Sequence, residues 1–288
     1  MVSFFDEECK IMKCLKKNII LIASVILFFF IFNEIRHCIE YRNVIELVSS
    51  QIIELSPIDN KEITCTGLCY DSINDRYIVG TAGKQVPEQE KFSASIIIYD
   101  KDFQFLSGIN GLADLYPNLR DIQGVSLDAD GNIWFCSPGE NLVRLISLDG
   151  NEINSFSMNN PSGIAFSHSD NTLWVLTNKK LLNCTTDGKI LKEIKFKEKG
   201  QDQLFIDENN QKIYITVGNN YQNGSYIFVY DIREDKYKPV YFLSDSYAIE
   251  GITITSETMF ILNDGYYHSA KVPTNQVNIY NLPKELYD

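Results

Sequence analysis

Five copies of one phrase set the limits on what this chain can become. "TGLCYDSINDRYIVG" from Thr66, "QGVSLDADGNIWFCS" from Gln123, "SGIAFSHSDNTLWVLT" from Ser162, "DQLFIDENNQKIYIT" from Asp202 and "EGITITSETMFILND" from Glu250 align head to head. Each opens on a polar residue and a glycine, although Gln203 takes the glycine's place in the fourth copy. A short β-prone run, a polar turn and a second apolar run follow, the last centred on Tyr77, Trp134, Trp174, Tyr214 or Phe260. That pattern is strand, hairpin turn, strand. A third strand follows every copy, and in most copies an Asp-Gly or charged turn leads on to a fourth. The heads stand 57, 39, 40 and 48 residues apart, the size of a propeller blade. One four-stranded sheet cannot bury both its faces alone, whereas radial stacking buries them and requires the ring to be closed. The spacing therefore predicts an all-β fold, a β-propeller of four-stranded blades. Five blades are expected, or six if the long first spacing hides a degenerate copy.

Closure has its own signature. The last copy ends in "NQVNIYNLPKELYD", which holds a third strand but little chain for a fourth. The stretch "QIIELSPI" at 51–58 reads as a strand with no partner in its own repeat. Pairing the two fastens the circle. The first spacing also holds two insertions, around "KQVPEQEKF" and "INGLADLYPNLR", expected as loops or a short helix on one rim.

Ahead of the repeats, "NIILIASVILFFFIFNEIR" carries no charge from Ile19 to Phe32 and one polar side chain, Ser24. Its composition suits a membrane, although its fourteen residues rise only about 21 Å as a helix against a hydrocarbon core of about 30 Å. Lys10, Lys13, Lys16 and Lys17 precede it, so the positive-inside rule leaves the N-terminus cytoplasmic and the rest outside. "NEIRHCIEYR" offers no small-residue cleavage site, which favours an uncleaved signal anchor over a removed, secretory peptide. The expected organisation is a basic cytoplasmic segment (1–17), a transmembrane signal anchor (18–33), a helical stalk (34–50) and an extracytoplasmic propeller (51–288).

Composition narrows the partners. A chain 44% hydrophobic and 12% aromatic can fill a core, and a net charge of -12 disfavours nucleic acid and anionic lipid. Cations and neutral polar ligands suit it better. The seven cysteines follow no disulfide spacing; Cys65 and Cys69 fall on one strand, too far apart for an unstrained bridge. "DADGN" at 128–132 lacks the distal glutamate of a calcium loop and reads as a hairpin turn. His168 and His268 stand alone, Trp134 and Trp174 sit at the repeat's core position, and no G-x-S-x-G or phosphate-binding loop is present.

The first strand of each blade lines a propeller's central channel, so the residue before each repeat glycine falls near one mouth. Thr66, Gln123, Ser162, Asp202 and Glu250 are thus expected to form a polar ring, with Asn263 and Asp264 near the same rim. Such a ring suits a polyhydroxylated ligand or a hard divalent cation such as calcium, with Asp202 and Glu250 as its metal ligands.

Phrases such as "DADGNIWFCSPGENLVRLISLDGN", "PSGIAFSHSDNTLWVLTNKKLL" and "EGITITSETMFILND" give residues 60–282 a resemblance to the SdiA-regulated (YjiK-like) propellers of bacterial envelopes. More distantly the chain resembles the NHL, gluconolactonase and strictosidine-synthase-like group. The gluconolactonase likeness implies one divalent metal held by Glu, Asn and Asp at pre-glycine positions. Thr66 and Ser162 depart from two of those three types, which leaves Glu250. The strictosidine-synthase likeness would make Glu250 the catalytic acid. The sequence thus points to a membrane-anchored ligand-binding or protein-interaction module, its partner an envelope protein or a small polar ligand. The alternative is a divergent metal-dependent lactonase or ester hydrolase.

Overall fold

A computed structural model describes residues 18–19, 22–28, 30–32, 41–56, 63–83, 85–86, 91–109, 111–196, 198, 200–218, 224–263 and 275–283. The chain divides into two units, Met1–Val44 and Ile45–Asp288.

In the first unit the described positions between 18 and 32 are helical and their side chains exposed. Among the described residues no helix is long and apolar enough to cross a membrane. The transmembrane helix expected at 18–33 is therefore not found as a span among the described residues, and positions 20, 21, 29 and 33 of that segment lie outside them. Residues 34–40 of the expected stalk lie outside the described residues, and 41–50 are not helical. They form a turn and then a strand, β1 (Ile45–Leu47). The apolar alternation of Ile45 and Leu47 serves a sheet here, since both pack on a neighbouring blade's core.

The second unit is a ring of five blades, and its strand order repeats the sequence pattern. After β2 (Gln51–Glu54), blade one is β3 (Ile63–Asp71), β4 (Arg76–Gly83), β7 (Ile96–Asp100) and β8 (Phe105–Ile109). A hairpin of β5 (Gln85–Val86) and β6 (Lys91–Phe92) interrupts it. Blade two is β9 (Gln123–Leu127) to β12 (Glu152–Ser157), and blade three is β13 (Ile164–Ser167) to β16 (Ile190–Lys195). Blade four is β17 (Gln201–Asp207) to β20 (Lys236–Leu243), and blade five is β21 (Ile249–Thr255), β22 (Thr258–Asn263) and β23 (Gln276–Asn281) with β2 as its outer strand. The long first spacing holds the small hairpin and a short helix, Leu112–Leu115, so no sixth blade is hidden there.

β2 runs antiparallel to β23, with Ile53 opposite Val277, so the ring closes as the sequence suggested. Two side chains lock this seam. The Asn275 amide donates to the Ile63 carbonyl at 3.0 Å and accepts from the Cys65 N–H at 2.8 Å, while its own carbonyl takes the Leu55 N–H at 2.9 Å. Asp245 accepts from the Ser49 N–H at 2.9 Å and from the Tyr280 hydroxyl at 2.6 Å. β1 lies parallel to β20 and gives blade four a fifth strand, which the repeat gives no reason to expect.

Apolar faces fill the gaps between blades. Trp134 is buried with Phe166 and Val175 between blades two and three, and Tyr77 stacks on Phe103 at 4.1 Å where blade one meets blade five. Burial of a large aromatic at such a seam is worth about 3–5 kcal/mol against alanine. Cys65, Cys136 and Cys184 are buried and unbridged within these cores, and Cys69 is half-buried and unbridged. Asn183, in a glycosylation sequon "NCT", is buried on β15 (Lys180–Thr185) and donates to Thr172 at 2.8 Å.

Candidate functional site

The five inner strands meet tightly at their heads. A Cβ on Gly124 would stand 2.6 Å from the Ser162 carbonyl oxygen, and one on Gly67 would stand 3.1 Å from the Gly124 nitrogen. Only glycine lets neighbouring backbones approach this closely, which is the reason the repeat carries it. The pairing slips here: a bulge sits at Thr66, at Gly124, at Asp202 and Gln203, and at Glu250.

Blade four breaks the rule, and its exception closes the axis. Gln203 is 3% exposed, and its amide nitrogen donates to the Thr66 carbonyl on blade one at 2.9 Å. Its amide oxygen lies 3.0 Å from where a Cβ on Gly124 of blade two would be. One side chain thus bridges three blades where a glycine would leave a gap. Its backbone N–H is taken by the Thr216 hydroxyl at 2.8 Å.

Two of the five members of the expected polar ring are packed into this layer. Thr66 is buried and its hydroxyl donates to the Ile122 carbonyl at 2.7 Å. Glu250 is 7% exposed, while Gln123, Ser162 and Asp202 are half-buried. Asn263 is buried in the seam between blades four and five, where it accepts from the Tyr247 N–H and donates to Ser246. Asp264 lies outside the described residues. Among the described residues no three His, Cys, Asp or Glu side chains converge as a metal would require, so Asp202 and Glu250 find no third such ligand.

Among the described residues a cavity lies at the other mouth. A funnel of about 700 Å³ opens among the hairpins that join the first and second strands of all five blades. That volume suits a drug-sized ligand. Its floor is Leu68, Val125, Ile164, Leu204 and Ile252, each the residue directly after a head glycine or after Gln203. The funnel therefore ends one residue short of the layer that Gln203 closes, and it is blind. Above the floor stand Phe205 and Thr253, then Tyr70, Leu127, Phe166, Ile206 and Ile254.

Backbone groups on the unpaired inner edges are met from the neighbouring blade. The Ser126 hydroxyl accepts from the Phe166 N–H at 2.9 Å. Cys69 takes the equivalent place in blade one; burial pushes its thiol up to about 12, and a hydrogen bond from the Leu127 N–H offsets only part of that. A thiol so held is neutral and is no nucleophile near neutral pH.

The rim is acidic. Asp71, Asp128, Asp130, Asp207, Glu208 and Glu257 line the funnel, and no Lys or Arg does. Three of these carboxylates build the turns. Asp128 accepts from the Asn132 N–H at 2.8 Å and Asn132 Nδ2 at 2.9 Å, and Asp207 accepts from Asn210 in the same way. Asp71 binds Asn74 and pairs with Arg76 at 2.8 Å. Burial alone would raise its pKa, but the hydrogen bonds from Asn74 and Arg76 outweigh it and hold Asp71 below the usual carboxylate range. "DADGN" is thus a hairpin turn as its sequence suggested, with Gly131 at φ +82°. Glu208 reaches across to blade three, where it accepts from the Ser167 hydroxyl at 2.8 Å and the Ser169 N–H at 3.1 Å. His168 is exposed beside it, edge-on to Phe166.

Fold and cavity together define a five-bladed β-propeller with a blind axial funnel. No family model matches the chain, and no curated protein matches it. Solved structures are similar at low identity. Virginiamycin B lyase from Staphylococcus aureus aligns over 81% of this chain and 99% of its own, at 13% identity and a TM-score of 0.48. A protein of unknown function from Bacteroides caccae aligns over 78% and 83%, at 10% identity and a TM-score of 0.48. Hydrazine synthase from Kuenenia stuttgartiensis aligns over 72% of this chain and 56% of its own, at 12% identity and a TM-score of 0.46. At these levels the fold rests on the strand order itself.

Proposed function

We propose that this protein is a membrane-anchored, extracytoplasmic binding module whose ligand enters the funnel at the hairpin mouth. One observation carries the reading: the cavity has an apolar floor and wall with a polar rim, the make-up of a small-molecule site. The funnel offers a ligand shelter on one side and an entrance on the other. Noncatalytic binding is favoured over the metal-dependent hydrolase, because Asp202 and Glu250 lie outside the funnel lining and Cys69, within it, is held neutral. The membrane attachment rests on the apolar run at 19–32 and the lysines before it, and a kinship with the SdiA-regulated propellers rests on the repeat phrases alone.

A ligand with an apolar body and a neutral polar tip tests the site. Binding of 4-phenylbutanol to the full chain in phosphatidylcholine nanodiscs, read by saturation-transfer NMR against empty nanodiscs, should be lost in Phe205→Asp and weakened in the milder Phe205→Leu, both compared at a temperature where far-UV circular dichroism shows the variant folded. Binding that survives Phe205→Asp, or that is absent from the parent, overturns the funnel as the site.

A further inference from the structure

We infer that the funnel selects organic cations: molecules with an apolar body of drug size and an ammonium or similar positive group at one end. This rests on the funnel being the ligand site and adds the charge of what it takes. The cavity supplies the apolar half of the argument. Leu204, Ile252 and their neighbours at the floor give no hydrogen-bonding side chain to a polar ligand end, so that end must remain at the rim.

At the rim it meets one sign of charge. Six carboxylates line the funnel with no lysine or arginine among the lining residues. Arg76 pairs with Asp71, and this offsets one of them. Asp128 and Asp207 are held by backbone and asparagine N–H groups, which stabilise the carboxylate without neutralising it. Glu208 is likewise held by a hydroxyl and a backbone N–H, and Asp130 and Glu257 are exposed. Five net negative charges thus surround one entrance, against a low-dielectric wall that concentrates their field on the axis. His168, exposed at the rim, is the remaining lining side chain able to carry positive charge. The half-buried rings of Tyr70 and Phe205 suit the same ligand, since an aromatic ring attracts a cation and packs against an apolar body.

The blind end decides orientation. Gln203 closes the channel beneath the floor, so the ligand cannot pass through and must enter and leave by the acidic mouth. The apolar body leads and the cation trails.

Three molecules with one phenylbutyl body separate charge from shape: 4-phenylbutylammonium, 4-phenylbutanol and 4-phenylbutyrate, titrated against the full chain in phosphatidylcholine nanodiscs. The ammonium ion should bind at least tenfold more tightly than the alcohol at low salt and the carboxylate more weakly than either, with the preference shrinking as salt approaches 1 M. In the triple variant Asp130→Asn, Glu208→Gln, Glu257→Gln the ammonium ion should lose about tenfold while the alcohol is unchanged. Equal binding of all three, or a preference that ignores salt and the triple variant, overturns the charge selection and leaves the funnel as a site. Failure of all three to bind overturns the funnel itself.

Discussion

Gln203 shows how much one residue can decide. Every other copy of the repeat places glycine at the head, and the backbones there are too close for anything larger. In blade four the side chain is long enough to leave the crowded layer and cross the axis to Thr66. Removing it leaves the Thr66 carbonyl and a gap beside Gly124 in the interior, so Gln203→Ala should cost about 1–3 kcal/mol in denaturant unfolding. The same change should deepen the funnel and tighten binding of longer phenylalkyl chains. An unchanged stability would mean that the amide contributes nothing to the closed layer. The signal was present in the sequence as the single break in the repeat's glycine, and its meaning was not, because no spacing rule says where a long side chain reaches.

At the level of elements, what was legible followed from periodicity. Alternating apolar residues and polar turns mark the four strands of a blade, and the orphan strand "QIIE" must pair where a strand is missing. Both signals are local, and both appear in the ring. β1 was not legible, because three residues of "IEL" fit a helix face and a strand edge equally well, and only the waiting edge of β20 decides between them. The rim aspartates Asp71, Asp128 and Asp207 read as turn residues and are turn residues. That their carboxylates also encircle a cavity emerges only when five hairpins are brought to one mouth. The head residues Thr66, Gln123, Ser162, Asp202 and Glu250 follow from position along the channel, whereas their burial is set by the packing around each: Thr66 and Glu250 are buried, and Gln123, Ser162 and Asp202 are half-buried.

At the scale of the whole molecule, the ring forms a cup. The chain after residue 44 is first an outer strand of blade four and then the closing strand of blade five, so residues 45–54 fasten the propeller. We expect the full chain to remain with the lipid on alkaline carbonate extraction, and the propeller to be cleaved by protease added from outside; release into the soluble fraction would argue against the anchor. Which end of the axis receives the ligand decides how the molecule works. A crystal structure of the chain with 4-phenylbutylammonium answers it directly. The account predicts density for the phenyl ring against Phe205 and Ile254, with the ammonium group among Asp130, Glu208 and Glu257. Density at the opposite end, among Gln123, Ser162, Asp202 and Glu250, would contradict it.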